Sequence, residues 1–295
     1  MTDEPLLREP PTATAEEWAT CEQNGDFWPL AFEHYKYVAE LCSFFSNIDR
    51  RSPALRDATP LEYSVLRGLL NRCARLMLAT MHLSKDHLFG ESTAILGRCI
   101  FESCLTIMWL CDKNSKESLT RYLAQGLKTE IEYKKHVAQA IARREGKHLP
   151  IEERMLASFQ DLISSARLTE EEVTAAKKLP DVAAMMNDVE LPRLAYVALQ
   201  KMGSHHVHGT WPSLRGHYLQ ESESGELVPR DHDCPAGIDQ LVTIAFLILR
   251  TLQAFTDRMI KPEDQTSLIP LLDEATTALG RIYTAQVGSD FAAPE

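Results

Sequence analysis

The run STAILGRCIFESCLTIMWLC, Ser92–Cys111, is the most apolar in the chain. A helix built from it is hydrophobic on nearly every face, which predicts a central helix packed among others. Two charges interrupt it, Arg98 and Glu102. They stand four apart and so share one face. Arg and Glu are rarely buried unless paired. A paired charge inside a core is either a structural clasp or the floor of a site, and additional partners from other helices are expected. About 20 apolar residues are enough to cross a bilayer. A mid-helix Arg opposes insertion, and the flanks carry neither a basic cluster nor an aromatic belt. A buried helix, with no membrane involvement, is therefore the expectation.

Working outward, the pattern stays helical. Trp28, Ala31, Tyr35, Val38, Cys42 and Phe45 form one stripe at alternating spacings of three and four. Asp49–Pro60 holds two prolines and reads as a loop. A helix over about 61–87 carries Leu66, Leu69, Leu70, Cys73, Met77, Thr80 and Met81 on one side, and Gly90 is expected to close it. After Asn114 and Ser115 a long charged helix runs to about Lys147. Shorter pieces fill 151–189, one of them opened by a Thr169…Glu172 capping box. Another begins at Pro192 and is expected to end at Gly203.

Ser204–Leu219, SHHVHGTWPSLRGHYL, holds four of the ten histidines. A polar loop follows it, with room for a short hairpin. Ile238, Leu241, Ala245, Ile248, Leu252, Phe255 and Met259 then mark a second central helix, and a last helix covers about 265–286. No sustained strand alternation and no repeat are visible. The predicted fold is all-α: a single multi-helix bundle with two central apolar helices. The expected layout is a flexible tail over 1–14, one helical domain over 15–287, and a tail over 288–295.

Composition narrows function. The 295 residues are 44% hydrophobic and 25% charged, with a formal net charge of −11 and a pI near 5.4. Such a surface repels nucleic acid at long range. The acidic, polar N-terminus has no secretory pattern. Seven cysteines in apolar patterns, without metal-knuckle spacing, suit reduced buried thiols in a cytoplasmic protein. No dinucleotide, phosphate-loop, nucleophile-elbow, zinc-protease or EF-hand signature is present.

The histidine segment carries the candidate chemistry. His205, His206 and His208 follow the expected cap at Gly203, where the backbone can turn side chains towards one point. Three readings are open. The histidines and Ser204 cap helix ends and bond Arg98 or Glu102. His206, His208 and Glu102 bind a divalent ion, although helical metal centres use paired Glu-x-x-His, found here only as Glu145…His148. Or one histidine works with Arg98 in acid–base catalysis or anion binding. No cofactor is expected.

Leu96–Leu110 with its Arg-x-x-x-Glu, followed by Tyr196–Leu214, YVALQKMGSHHVHGTWPSL, resembles a large uncharacterised family of bacterial and fungal helical proteins. The matching positions are Arg98, Glu102, Tyr196, Ser204 and His208, and the resemblance runs over roughly Leu61–Phe255. It implies an all-helical fold and no particular activity. A more distant resemblance is to HEPN-type helical nucleases, which use Arg-x(4–6)-His. Arg143…His148 has that spacing, but in a charged helix end containing Gly146, and neither Arg98 nor Arg193 precedes a histidine correctly.

The leading expectation is a helical-bundle binding or regulatory protein. Its polar centre is Arg98, Glu102, Ser204 and His208, with Tyr196, His205, His206 and Trp211 around it, and it suits a small anionic ligand or a protein partner. The alternatives are a metal-independent RNase and a metal-dependent hydrolase using His206, His208 and Glu102. Nucleic acid is disfavoured by charge, and the apolar helices permit an oligomer.

Overall fold

A computed structural model describes residues 7–288, and its architecture is all-α. The chain divides into two compact units, residues 7–112 with 185–288, and residues 113–184. The tail residues 1–6 and 289–295 lie outside the described range.

The first unit begins with α1 (Ala15–Asn24) and α2 (Trp28–Asn47), followed by α3 (Pro60–Ser84) and α4 (Gly90–Lys113). It resumes after α8 (Val182–Asp188) with α9 (Arg193–Ala195), a π-helical stretch Tyr196–Met202, α10 (Gly203–His208) and α11 (Trp211–Ser213). A second π-helical stretch, Leu214–Tyr218, leads into the antiparallel hairpin β1 (Leu219–Glu221) and β2 (Leu227–Pro229). This is where the sequence left room for a hairpin. α12 (Ile238–Met259) and α13 (Pro262–Val287) complete the unit.

Thr14 opens α1 with a capping box, and Thr59 caps α3 through the Glu62 amide. Before α1, Arg8 reaches across to α2. Arg8 Nε donates to Glu40 at 2.6 Å, and its guanidinium lies over the Tyr37 ring.

Tyr35, Phe45, Leu70, Ile100, Phe101, Trp109, Leu252 and Phe255 are almost completely buried. A buried side chain of this size contributes about 1.5–3 kcal/mol, so the core made by α2, α3, α4 and α12 carries the stability of the unit. Phe45 meets Phe255 edge-on at 6.0 Å. α4 and α12 pack together as predicted: Thr93 Oγ1 donates to Gln240 Oε1 at 2.8 Å, and Gly97 rests against Ile244. Both helices are long and apolar enough to cross a membrane, and just over half of each apolar window is buried inside the fold.

Two helix boundaries correct the sequence reading. Gly90 does not close α3 but opens α4, because its backbone touches the segment before α12. The Gly90 amide donates to the Cys234 carbonyl at 2.9 Å, and a Cβ there would stand 2.3 Å from the Pro235 carbonyl oxygen. Gly203 does not cap its helix, since the chain stays helical to His208. The cap is Gly209, in the left-handed region at φ 56°.

The second unit holds α5 (Lys116–Arg143), α6 (Pro150–Ser165) and α7 (Glu170–Ala175). Ala124, Leu127, Ile131, Ile163, Ala166 and Val173 form one apolar cluster, and Val137, Ile141 and Phe159 another. The capping box predicted at Thr169 and Glu172 is present.

Candidate functional site

α4 buries most of its circumference, so its charges fall on the remaining face. Arg98 and Glu102 therefore lie at the edge of the core and not at its centre. The Arg98 side chain is 17% exposed and that of Glu102 46%. Arg98 Nε donates to Glu102 Oε1 at 3.2 Å, and Arg98 Nη1 donates to Ser204 Oγ at 2.8 Å. Gly203 lies flat on the Arg98 stem: a Cβ at 203 would be 3.2 Å from Arg98 Cβ. The two segments that the sequence singled out thus meet at Arg98.

The other sequence candidates diverge. A helix turns about 100° per residue, so His206 and His208 point to opposite sides of α10. His208 is exposed, whereas His206 is turned inward. His205 Nδ1 pairs with Thr210 Oγ1 at 2.7 Å beside the Gly209 cap, which fits the structural reading for that residue. Trp211 is 59% exposed at the first position of α11. Tyr196 stands under two surface cations, Arg193 at 4.6 Å and Lys201 at 5.6 Å from its ring centre. Among the described residues, no group of three His, Cys, Asp or Glu could hold a metal ion, and the His206–His208–Glu102 set is not assembled.

His206 belongs to a cluster that the sequence reading missed. Its Nδ1 lies 3.8 Å from Glu91 Oε1, too long for a hydrogen bond but close enough for electrostatic contact. The buried Glu91 carboxylate accepts hydrogen bonds from the Ser213 and Tyr218 hydroxyls. Glu91 stands in the first turn of α4, where the helix dipole favours negative charge. The His217 ring packs edge-on against His206 at 5.1 Å.

Burial pushes the Glu91 carboxyl up, but the Ser213 and Tyr218 hydroxyls and the neighbouring imidazoles outweigh it and hold the group below the usual glutamate value. Burial, reinforced by His217, pushes His206 down against the pull of Glu91. His206 is therefore a neutral imidazole at neutral pH. The Nδ1 atoms of His206 and His217 are both buried without a hydrogen-bond partner among the described residues.

Arg98 and His206 also line a cavity of about 150 Å³ between α2, α4, the 196–206 segment and the start of α12. Tyr35 lines it too. Its side chain is 1% exposed, and its hydroxyl meets Thr80, also in the lining, without closing a full hydrogen bond. Asp239 and Gln240 line the α12 side. The wall contributed by Ala198, Leu199 and Met202 comes from the first π-helical stretch. Such stretches are rare and recur at functional sites. Nothing in the sequence announced this one.

Residues 63–227, more than half of the chain, match the model of DUF5677, a family of unknown function. The chain belongs to that family. The DUF5677 match runs from α3 to β2 and contains Arg98, Glu102, Ser204, Glu91, His206, Ser213 and Tyr218, whereas Tyr35 and Asp239 fall outside it. No curated protein and no solved structure matches the chain.

The nuclease-like spacing gains no geometric support. α5 ends at Arg143, and Glu145 and Gly146 take left-handed backbone conformations at φ 57° and 81°. Arg143 and His148 therefore share no helical face.

Proposed function

We propose that this DUF5677 member is a small-ligand binding protein whose recognition group is Arg98 and whose ligand carries an anionic group. One observation carries the reading: a guanidinium fastened from two sides stands in the wall of a cavity that also holds a buried tyrosine hydroxyl, which meets Thr80 without closing a full hydrogen bond. Buried polar groups normally find partners. A cavity with an incompletely bonded donor and a fixed cation is thus a place where a ligand completes the hydrogen bonding.

Glu102 does not cancel Arg98, because it is half in water and takes only Nε. Nη2 makes no hydrogen bond among the described residues and stays available to an anion. The ligand would touch α2, α4, α12 and the 196–206 segment together, so its binding would stiffen elements far apart in sequence. That suits a sensor or regulatory role. The seven cysteines are all unpaired, which fits a reducing, cytoplasmic setting.

The test is thermal unfolding in graded sodium acetate at constant ionic strength, with sodium chloride as the reference. A ligand that binds only the folded state at 100 times its Kd adds about 2.7 kcal/mol. The wild type is expected to rise in Tm with acetate, and Arg98→Met to show no rise. An equal response in both proteins rejects Arg98 as the recognition group.

A further inference from the structure

We propose that anion binding at Arg98 is coupled to proton uptake by His206, which becomes the second cation of the site when the ligand arrives. This rests on Arg98 as the anion-recognition group and adds the regulation of that site by pH. His206 and Arg98 line the same cavity of about 150 Å³. A space that small keeps an anion on the guanidinium within charge–charge range of the imidazole. The backbone joins the two as well, since Ser204, two positions before His206, accepts from Arg98 Nη1 at 2.8 Å.

The ring is placed to receive a proton. Its Nδ1 is buried without a hydrogen-bond partner among the described residues and faces Glu91 Oε1 at 3.8 Å. A neutral imidazole has one donor and one acceptor, whereas the imidazolium has two donors. In the imidazolium, Nδ1–H can close on the Glu91 carboxylate, which the Ser213 and Tyr218 hydroxyls already hold in place. Nε2–H, on the other edge of the ring, is left for the ligand.

The charged and titratable groups around the ring set the balance. Glu91 on α4 favours the proton. Burial opposes it, as do His217 on the second π-helical stretch and His205 on α10. Arg98 adds a like charge across the cavity. Tyr218 is spent on Glu91, and burial keeps the Tyr35 hydroxyl on α2 neutral. Asp239 on α12 is exposed and turned back on the Gly237 backbone, so it does not supply the missing negative charge. A bound anion does: it neutralises Arg98 and gives the ring a second negative neighbour, which favours the charged form. Proton uptake on binding means tighter binding at lower pH. Affinity rises as the pH falls through the liganded pKa of His206 and levels off below the unliganded one, which lies under the ordinary 6.5.

The experiment is calorimetric titration of the full chain with sodium trifluoroacetate between about pH 8 and pH 5.5 at constant ionic strength. Each titration is run in two buffers of different ionisation enthalpy, which counts the protons taken up. Trifluoroacetate stays ionised throughout, so the counted protons belong to the protein. The wild type is expected to bind about threefold tighter or more at the acid end, with net proton uptake on binding. His206→Gln should bind with an affinity that no longer depends on pH and with no proton uptake. His205→Gln and His208→Gln should keep the wild-type pH dependence.

Wild-type binding that is independent of pH, or that takes up no proton, overturns the coupling and leaves the Arg98 anion site standing. No binding at any pH overturns both. A folded His206→Gln protein that keeps the full pH dependence moves the proton to another group and overturns the assignment. The wild-type titrations need no variant, so a folding failure of His206→Gln does not shelter the proposal, and loss of the pH dependence in His205→Gln or His208→Gln overturns it equally.

Discussion

Arg98 Nη1 donates to Ser204 Oγ at 2.8 Å, joining residues 106 positions apart. This one contact ties α4 to the segment that follows the first π-helical stretch. A hydrogen bond to a charged group contributes about 1.5–3 kcal/mol when buried. Arg98 retains some exposure, so Ser204→Ala is expected to cost about 1 kcal/mol. Urea unfolding should show a lower midpoint with an unchanged slope. Acetate binding should weaken in the same variant, because the guanidinium loses one of its two fixings. Unchanged stability and unchanged acetate affinity would remove this contact from the account.

The glycines separate packing from propensity. At Gly90 an added Cβ meets a backbone oxygen at 2.3 Å, and backbone cannot swing aside. Gly90→Ala should destabilise by about 2 kcal/mol or more, as overpacking does. Gly68 sits in the middle of α3, exposed, with nothing within 4 Å of an added Cβ. Gly68→Ala should stabilise by about 0.5–1 kcal/mol through helix propensity alone. Chemical denaturation of both variants checks the pair, and similar effects in both would contradict the close approach at Gly90.

The buried carboxylate and its histidines give the protein an acid limit. Glu91 has a folded pKa below its ordinary 4.5: burial raises it, and the Ser213 and Tyr218 hydroxyls with the imidazoles more than offset this. Its contribution is present above pH 4.5 and is lost as the pH falls through the folded value. His206 is held below its ordinary 6.5, first by burial and then by His217. The unfolded chain therefore takes up a proton at His206 before the folded protein does, and stability declines as the pH falls below 6.5. Urea midpoints should fall in two stages on acidification. His206→Gln should shrink the upper stage, which buried His34 shares, and Glu91→Gln should shrink the lower. A rise in stability on acidification below pH 6.5 would have the wrong sign.

Thiol chemistry should report the packing. Burial pushes Cys111 up to about 12 and raises Cys42 and Cys104 well above the usual thiol value. Cys99 is the one cysteine that is not buried. An aromatic disulfide reagent is expected to label a single thiol quickly, and Cys99→Ser to abolish that phase. The other thiols should follow at the rate of unfolding. Rapid reaction of several thiols in the Cys99→Ser protein would show that α4 and its neighbours open readily.

The fold was legible because apolar spacing reports burial directly. The stripes on α2 and α12 and the run in α4 stand where their periodicity places them. The meeting of Arg98 with Ser204 was legible as well, since two buried-looking polar segments need partners. Other features left no local signal. Gly203 reads as a cap because nothing in the sequence tells a C-terminal glycine from one flattened against an arginine stem. His206 and His208 look alike as neighbours until the helix turns them apart. Tyr35 counts as one more apolar stripe residue, and only the fold reveals its buried hydroxyl beside Thr80. Glu91 reads as a helix-start charge, and its hydroxyl partners Ser213 and Tyr218 lie over 120 residues away. Contacts at that separation depend on topology, which the spacing of residues within a helix does not encode.

The central claim, an anion held at Arg98, is tested most directly by the ¹⁹F line width of trifluoroacetate titrated with the protein. The account predicts concentration-dependent broadening with the wild type. Arg75→Met, which alters an exposed arginine on α3 away from the cavity lining, should broaden the line equally. Arg98→Met should leave the line sharp. Equal broadening by the Arg98→Met protein would place the anion elsewhere and contradict the account.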